Sequence, residues 1–61
     1  MNQKPLAVGQ TVKIKPQVKE YGGKLGTVVY EGKKLGWQVV KVKFDDLPRP
    51  VTFSPEEVEN N

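Results

Sequence analysis

Ten basic residues, nine of them lysine, and five aromatic rings are the groups in this 61-residue chain with binding chemistry to offer. Lys24 follows the glycine pair of "YGGKLG", Lys33 and Lys34 sit in "EGKKLG", and Lys41 and Lys43 alternate with valine in "WQVVKVKF". Ammonium groups spread in this way can neutralise phosphates and release counterions, giving affinity that falls steeply with salt. Tyr21 and Trp37 are interleaved among them, and an exposed ring can stack on an unpaired base, worth about 1–3 kcal/mol. A plainer use competes with this one: alternating lysines on an outward strand face also keep a sheet edge from pairing with other chains. A single arginine among the basic residues argues against bidentate reading of base edges.

Other chemistries are poorly supplied. With no cysteine and no histidine, the chain lacks the usual zinc, thiol and imidazole groups, and no disulfide can replace a missing core. Asp45 and Asp46 are adjacent in a turn, while Glu56, Glu57 and Glu59 lie near the end of the chain, and nothing in the sequence buries one of them for acid catalysis. The expectation is a non-enzymatic protein with no cofactor and no metal site. No apolar run approaches the roughly 18 residues of a membrane span, and "MNQKPLAVGQ" lacks a signal-peptide core. A soluble, cytoplasmic protein without membrane insertion is expected.

The net charge of +3 is unevenly spread. Up to Lys43 nine lysines face two glutamates, whereas from Phe44 onward one arginine faces five acids. Folding can mix these halves or separate them into faces, and a separated basic face would concentrate anionic partners.

The elements that must position these groups read as strands, because apolar residues alternate with a period of two. "TVKIK" directs Val12 and Ile14 to one side, and Pro16 ends it. A second strand is expected from about Lys24 to Glu31, with Val28 and Tyr30 alternating against Thr27 and Val29. "EGKKLG" reads as a hairpin loop framed by Gly32 and Gly36. In "WQVVKVKF", Val40, Val42 and Phe44 share a face. Trp37 then falls on the opposite face, partly exposed as a contact site, unless a bulge at Gln38 turns it inward; of the two, the core position is the preferred expectation.

"DDLPRP" is a turn, and "VTFS" a fourth strand with Val51 and Phe53 inward. "SPEEVE" reads as one 3₁₀ turn with Ser54 as cap, Pro55 at its first position and Glu57 completing a capping box, leading Val58 into a last brief strand. The terminal asparagines, Asn60 and Asn61, are expected to fray.

Five short strands without a long helix cannot cover one apolar face if the sheet stays flat. Curling the sheet buries that face against itself, so the expected fold is all-β, a five-stranded SH3-like barrel with one 3₁₀ turn before the last strand. Residues 1–8 would form an N-terminal arm and 9–60 the single barrel domain. The expected lining is Val12, Ile14, Val28, Val40, Val42, Phe44, Val51 and Phe53. Gly22 and Gly23 are read as turn residues, and Gly26, inside a strand, as a bulge, a barrel corner or a close approach. An aromatic cage for a methylated cation would need Tyr21, Tyr30, Trp37, Phe44 and Phe53, of which the core claims both phenylalanines.

"TVKIK" followed by "GGKLGTVV" resembles the KOW motif of transcription-elongation factors such as NusG and of several ribosomal proteins, with Gly23, Lys24, Gly26 and Val28 at the matching positions. The resemblance covers about the first half of the chain and implies an SH3-like fold that contacts RNA or a nucleoprotein complex. The layout of "VGQTVKI", Tyr21, "GTVV", "VVKVKF" and the final "F" before "EEVE" also resembles photosystem I subunit IV (PsaE) and the variable chain of ferredoxin-thioredoxin reductase. That likeness implies a protein-docking subunit. The leading expectation is a KOW-like module that binds RNA, DNA or a nucleoprotein complex. Lys24, Lys33, Lys34, Lys41 and Lys43 would contact phosphates, and Tyr21 and Trp37 would stack. The alternative is a docking or regulatory subunit using the same lysines against an acidic protein.

Overall fold

A computed structural model describes residues 6–60. Its strands are β1 Thr11–Ile14, β2 Leu25–Lys34, β3 Trp37–Lys43, β4 Val51–Phe53 and β5 Val58–Asn60, with a 3₁₀ turn at Pro55–Glu57. They form one antiparallel sheet in the order β4-β3-β2-β1-β5. The two outer strands are consecutive in the chain and only Ser54–Glu57 separates them. So short a connection between opposite edges requires the sheet to curl through most of a circle.

This is the expected all-β, five-stranded SH3-like arrangement with its 3₁₀ turn, but the cylinder is not closed: β4 and β5 are both edges and do not pair with each other. Both are only three residues long, and prolines at positions 48, 50 and 55 remove backbone donors around β4. On the β1–β5 side, the Lys15 N–H donates to the Glu57 carbonyl at 2.9 Å and extends that ladder by one step. Glu57 fixes the turn through its carboxylate, which accepts the Ser54 N–H at 2.9 Å and the Ser54 hydroxyl at 3.2 Å.

The inner face carries one core of Val12, Ile14, Val28, Val40, Val42, Phe44, Phe53 and Val58. Val51 differs from the expected lining: it pairs with Val42 but stays only partly buried at the rim, and Val58 supplies the buried contact from β5. Asn60 pairs with Val12 in β5, so it is not frayed, and Asn61 lies outside the described residues. Of the arm assigned to residues 1–8, residues 1–5 also lie outside them, while Leu6 packs against the core.

Two local features depart from the sequence pattern. The β2–β3 turn is only Leu35–Gly36, with φ of 53° and 84°. Two consecutive positive φ values match the I′ turn whose twist suits a hairpin. The ladder therefore runs up to Lys34↔Trp37, and Gly32, Lys33 and Lys34 are strand residues rather than loop. The second departure is a bulge: the register steps from Val28↔Val42 to Tyr30↔Lys41, leaving Val29 without a partner. One extra residue reverses the phase of everything after it. Tyr30, expected beside Val28, accordingly turns outward.

The bulge is thus at Val29, not at Gly26. Gly26 instead marks a close approach, because a Cβ there would lie 2.5 Å from Val42 Cγ1 and 2.9 Å from both the Lys43 carbonyl oxygen and Phe44 Cδ1. Of the glycine pair before β2, Gly23 has the positive φ, 84°. Gly22 is tied to a different need, since a Cβ would meet the carbonyl oxygens of Pro16 and Val18 at 2.6 and 2.7 Å.

Candidate functional site

The cross-strand register sorts the lysines into faces. Partners in an antiparallel pair point to the same side, so outward positions are those opposite the Val28–Val42 and Val40–Phe53 core pairs. On β2 these are Leu25, Thr27, Tyr30, Gly32 and Lys34; on β3 they are Trp37, Val39, Lys41 and Lys43; on β4, Thr52. No carboxylate occurs among these ten positions, whereas on the β1–β5 side Glu59 faces Lys13.

Lys34 and Trp37 are direct cross-strand neighbours at the turn, and Trp37 is 76% exposed. Lys41 faces Tyr30, with its Nζ 5.5 Å from the ring centroid, a cation–π contact. The Tyr30 ring in turn lies over Gly32: a Cβ on Gly32 would be 2.7 Å from the tyrosine hydroxyl. Beside Trp37, Leu35 is 92% exposed at its positive φ. Leucine is disfavoured in this left-handed conformation, which Gly adopts freely and Asn tolerates through local hydrogen bonds of its side chain.

The remaining expected contacts lie elsewhere or are taken. Lys33 pairs with Gln38 on the opposite side of the hairpin. Lys24 forms an ion pair with Asp46 at 2.8 Å and sits 5.9 Å from the Phe44 ring. That hydrogen bond, with one from the Asp46 backbone, holds the Asp46 carboxyl below the usual carboxylate range. Lys43 donates to the carbonyls of Phe44 (2.7 Å) and Leu47, fastening the turn after β3. Tyr21 is partly buried, stacked on Phe44 with centroids 5.7 Å apart and edge-on to Phe53, also at 5.7 Å. One face of its ring is therefore occupied from within.

The hairpin face thus unites Lys34, Lys41 and Trp37 from the expected set and adds Tyr30 and Leu35, which sequence reasoning had not placed there. Leu35 carried a signal in hindsight: Leu-Gly between two alternating runs fits a two-residue turn and would expose its first residue. Nothing local marked Tyr30, whose orientation depends on the bulge.

On the concave side of the same hairpin, a groove of about 650 Å³ has Val40 and Val58 in its lining together with Glu31, Glu56 and Glu59. Lys15 also lines this groove, and Lys33 lies on the same side of the hairpin, so both signs of charge occur there. Among the described residues no group of three or more histidine, cysteine, aspartate or glutamate side chains is placed to hold a metal ion, and no helix is long and apolar enough to cross a membrane. No family model, curated protein or solved structure matches the chain.

Proposed function

We propose that the protein is a non-enzymatic binding module whose outward β2–β3 face contacts nucleic acid, with Lys34 and Lys41 on phosphates and Trp37 beside them. The observation that carries this reading is the pairing of a 76%-exposed tryptophan with Lys34 across the hairpin, where the outward positions of β2 and β3 hold no carboxylate and Lys34 has no bonded partner among the described residues. Burying so large a ring on a partner is a common source of binding energy. The KOW resemblance of the first half of the chain points the same way.

Two or three neutralised phosphates give log K a slope of about −1.4 to −2.1 against log salt on a single strand, whereas five lysines acting together would give about −3.5. Titration of a labelled RNA or DNA oligonucleotide at several salt concentrations measures it. Lys34→Glu with Lys41→Glu should abolish the interaction. Absence of binding to wild type at low salt would remove the reading.

A second reading, docking to an acidic protein, is favoured by Leu35. A leucine held 92% exposed beside Trp37 offers apolar area that a phosphate backbone does not use, and the PsaE resemblance implies docking. This reading expects salt-sensitive capture of an acidic protein and no affinity for nucleic acid.

A further inference from the structure

We infer that Trp37 is a platform for one unpaired base, so that the hairpin face takes single-stranded in preference to duplex nucleic acid. This rests on the nucleic-acid reading above and narrows it to a substrate class.

The two outward aromatic rings are not equivalent. Tyr30 lies down on the sheet, with Gly32 beneath its ring and the Lys41 ammonium near its face. A base approaching Tyr30 would have to displace that lysine. Trp37 is the more open ring of the two, at 76% exposure against 43% for Tyr30. It sits at the first position of β3, past the end of the β4 pairing, which covers only Val40 to Val42. A base can therefore reach it without moving another strand.

Duplex DNA or RNA meets this face less well. Its bases are already stacked on each other and show only their edges, so Trp37 would gain no ring face from them. Reading those edges needs donors and acceptors in bidentate geometry. The outward residues of the projecting hairpin are Tyr30, Gly32, Lys34, Trp37, Val39 and Lys41; they include no arginine, asparagine or glutamine, Gln38 points to the other side, and the two lysines are point charges on flexible stems rather than planar forks. Charge does not compensate, because Lys24 is paired with Asp46 and Lys43 is bonded to turn carbonyls. With about two phosphates neutralised, the electrostatic contribution is small for either substrate, and the stacked base decides between them.

The test compares labelled 12-nucleotide oligo(dT) and oligo(U) with a 12-base-pair DNA duplex at one low salt concentration, reading anisotropy. Trp37 is the sole tryptophan, so its fluorescence reports stacking directly in the wild type. Both single strands should quench it and bind about tenfold or more tightly than the duplex. Trp37→Ala should lose about tenfold or more on the single strands and leave the duplex unchanged, while Trp37→Phe should stay within a few-fold of wild type. Equal affinity for duplex and single strands, or single-strand binding without quenching, would overturn the inference while leaving the phosphate reading standing. Failure of all three probes to bind would overturn both. If Trp37→Ala does not fold, quenching and the Trp37→Phe variant decide the matter.

Discussion

Two regions of this molecule hold the same kinds of residue and use them in opposite ways. At one end Tyr21, Phe44 and Phe53 pack ring against ring, Lys24 pairs with Asp46, and Lys43 fastens a turn. At the other, the end of the β2–β3 hairpin holds Trp37, Leu35 and Lys34 out in solvent. Both regions read as basic residues interleaved with aromatics. The difference is whether another part of the chain supplies the partner, and a group already satisfied internally has little left to give a ligand.

The comparison can be broken from the packed side first. Phe44→Ala should cost about 3–5 kcal/mol, comparable to what a core of this size supplies altogether, so chemical denaturation should find the variant largely unfolded at 25 °C. Gly26→Val should cost about 1–3 kcal/mol or more, because the new side chain meets Val42 and the Lys43 carbonyl. A wild-type melting curve for that variant would show that the close approach is not tight.

The hairpin should respond differently. Leu35→Asn should raise stability by up to about 1 kcal/mol, since asparagine accepts the left-handed conformation more readily; unchanged urea midpoints would contradict this. Trp37→Ala should alter stability by no more than about 0.5 kcal/mol. A large loss would mean that the ring packs internally and that the two regions are alike.

The smallest effect concerns Asp46. Its carboxyl titrates below the usual value because Lys24 is bonded to it. The associated stability is present above the unfolded value of about 3.9 and lost as pH falls through the lower folded one. Asp46→Asn should therefore flatten the acid end of the stability profile, measured by denaturation between pH 2 and 6.

Much of the inner face was legible because alternation in "TVKIK" and "WQVVKVKF" is a direct image of the pleat. Val12, Ile14, Val40, Val42 and Phe44 follow from it without further knowledge. The reading failed at Val29, where one unpaired residue reversed the phase and sent Tyr30 outward. Nor did the sequence show the internal partners of Lys24 and Tyr21, because Asp46 and Phe44 lie more than twenty residues away. Periodicity records which way a side chain faces, not what the folded chain will bring against it. For Trp37 alternation favoured the outward face while the wish to bury a large ring favoured the core, which was the preferred reading; the ring is instead 76% exposed.

The pairing of β1 with β5 also bears on how the molecule is made. Val12 and Asn60 are far apart in the sequence, so during synthesis β1 waits until β2, β3 and β4 have been made before it acquires its second neighbour. Long-range closure of this kind slows folding relative to local hairpins. The β2–β3 ribbon can form early, and removal of residues after Glu57 would leave β1 as a raw edge over an opened interior.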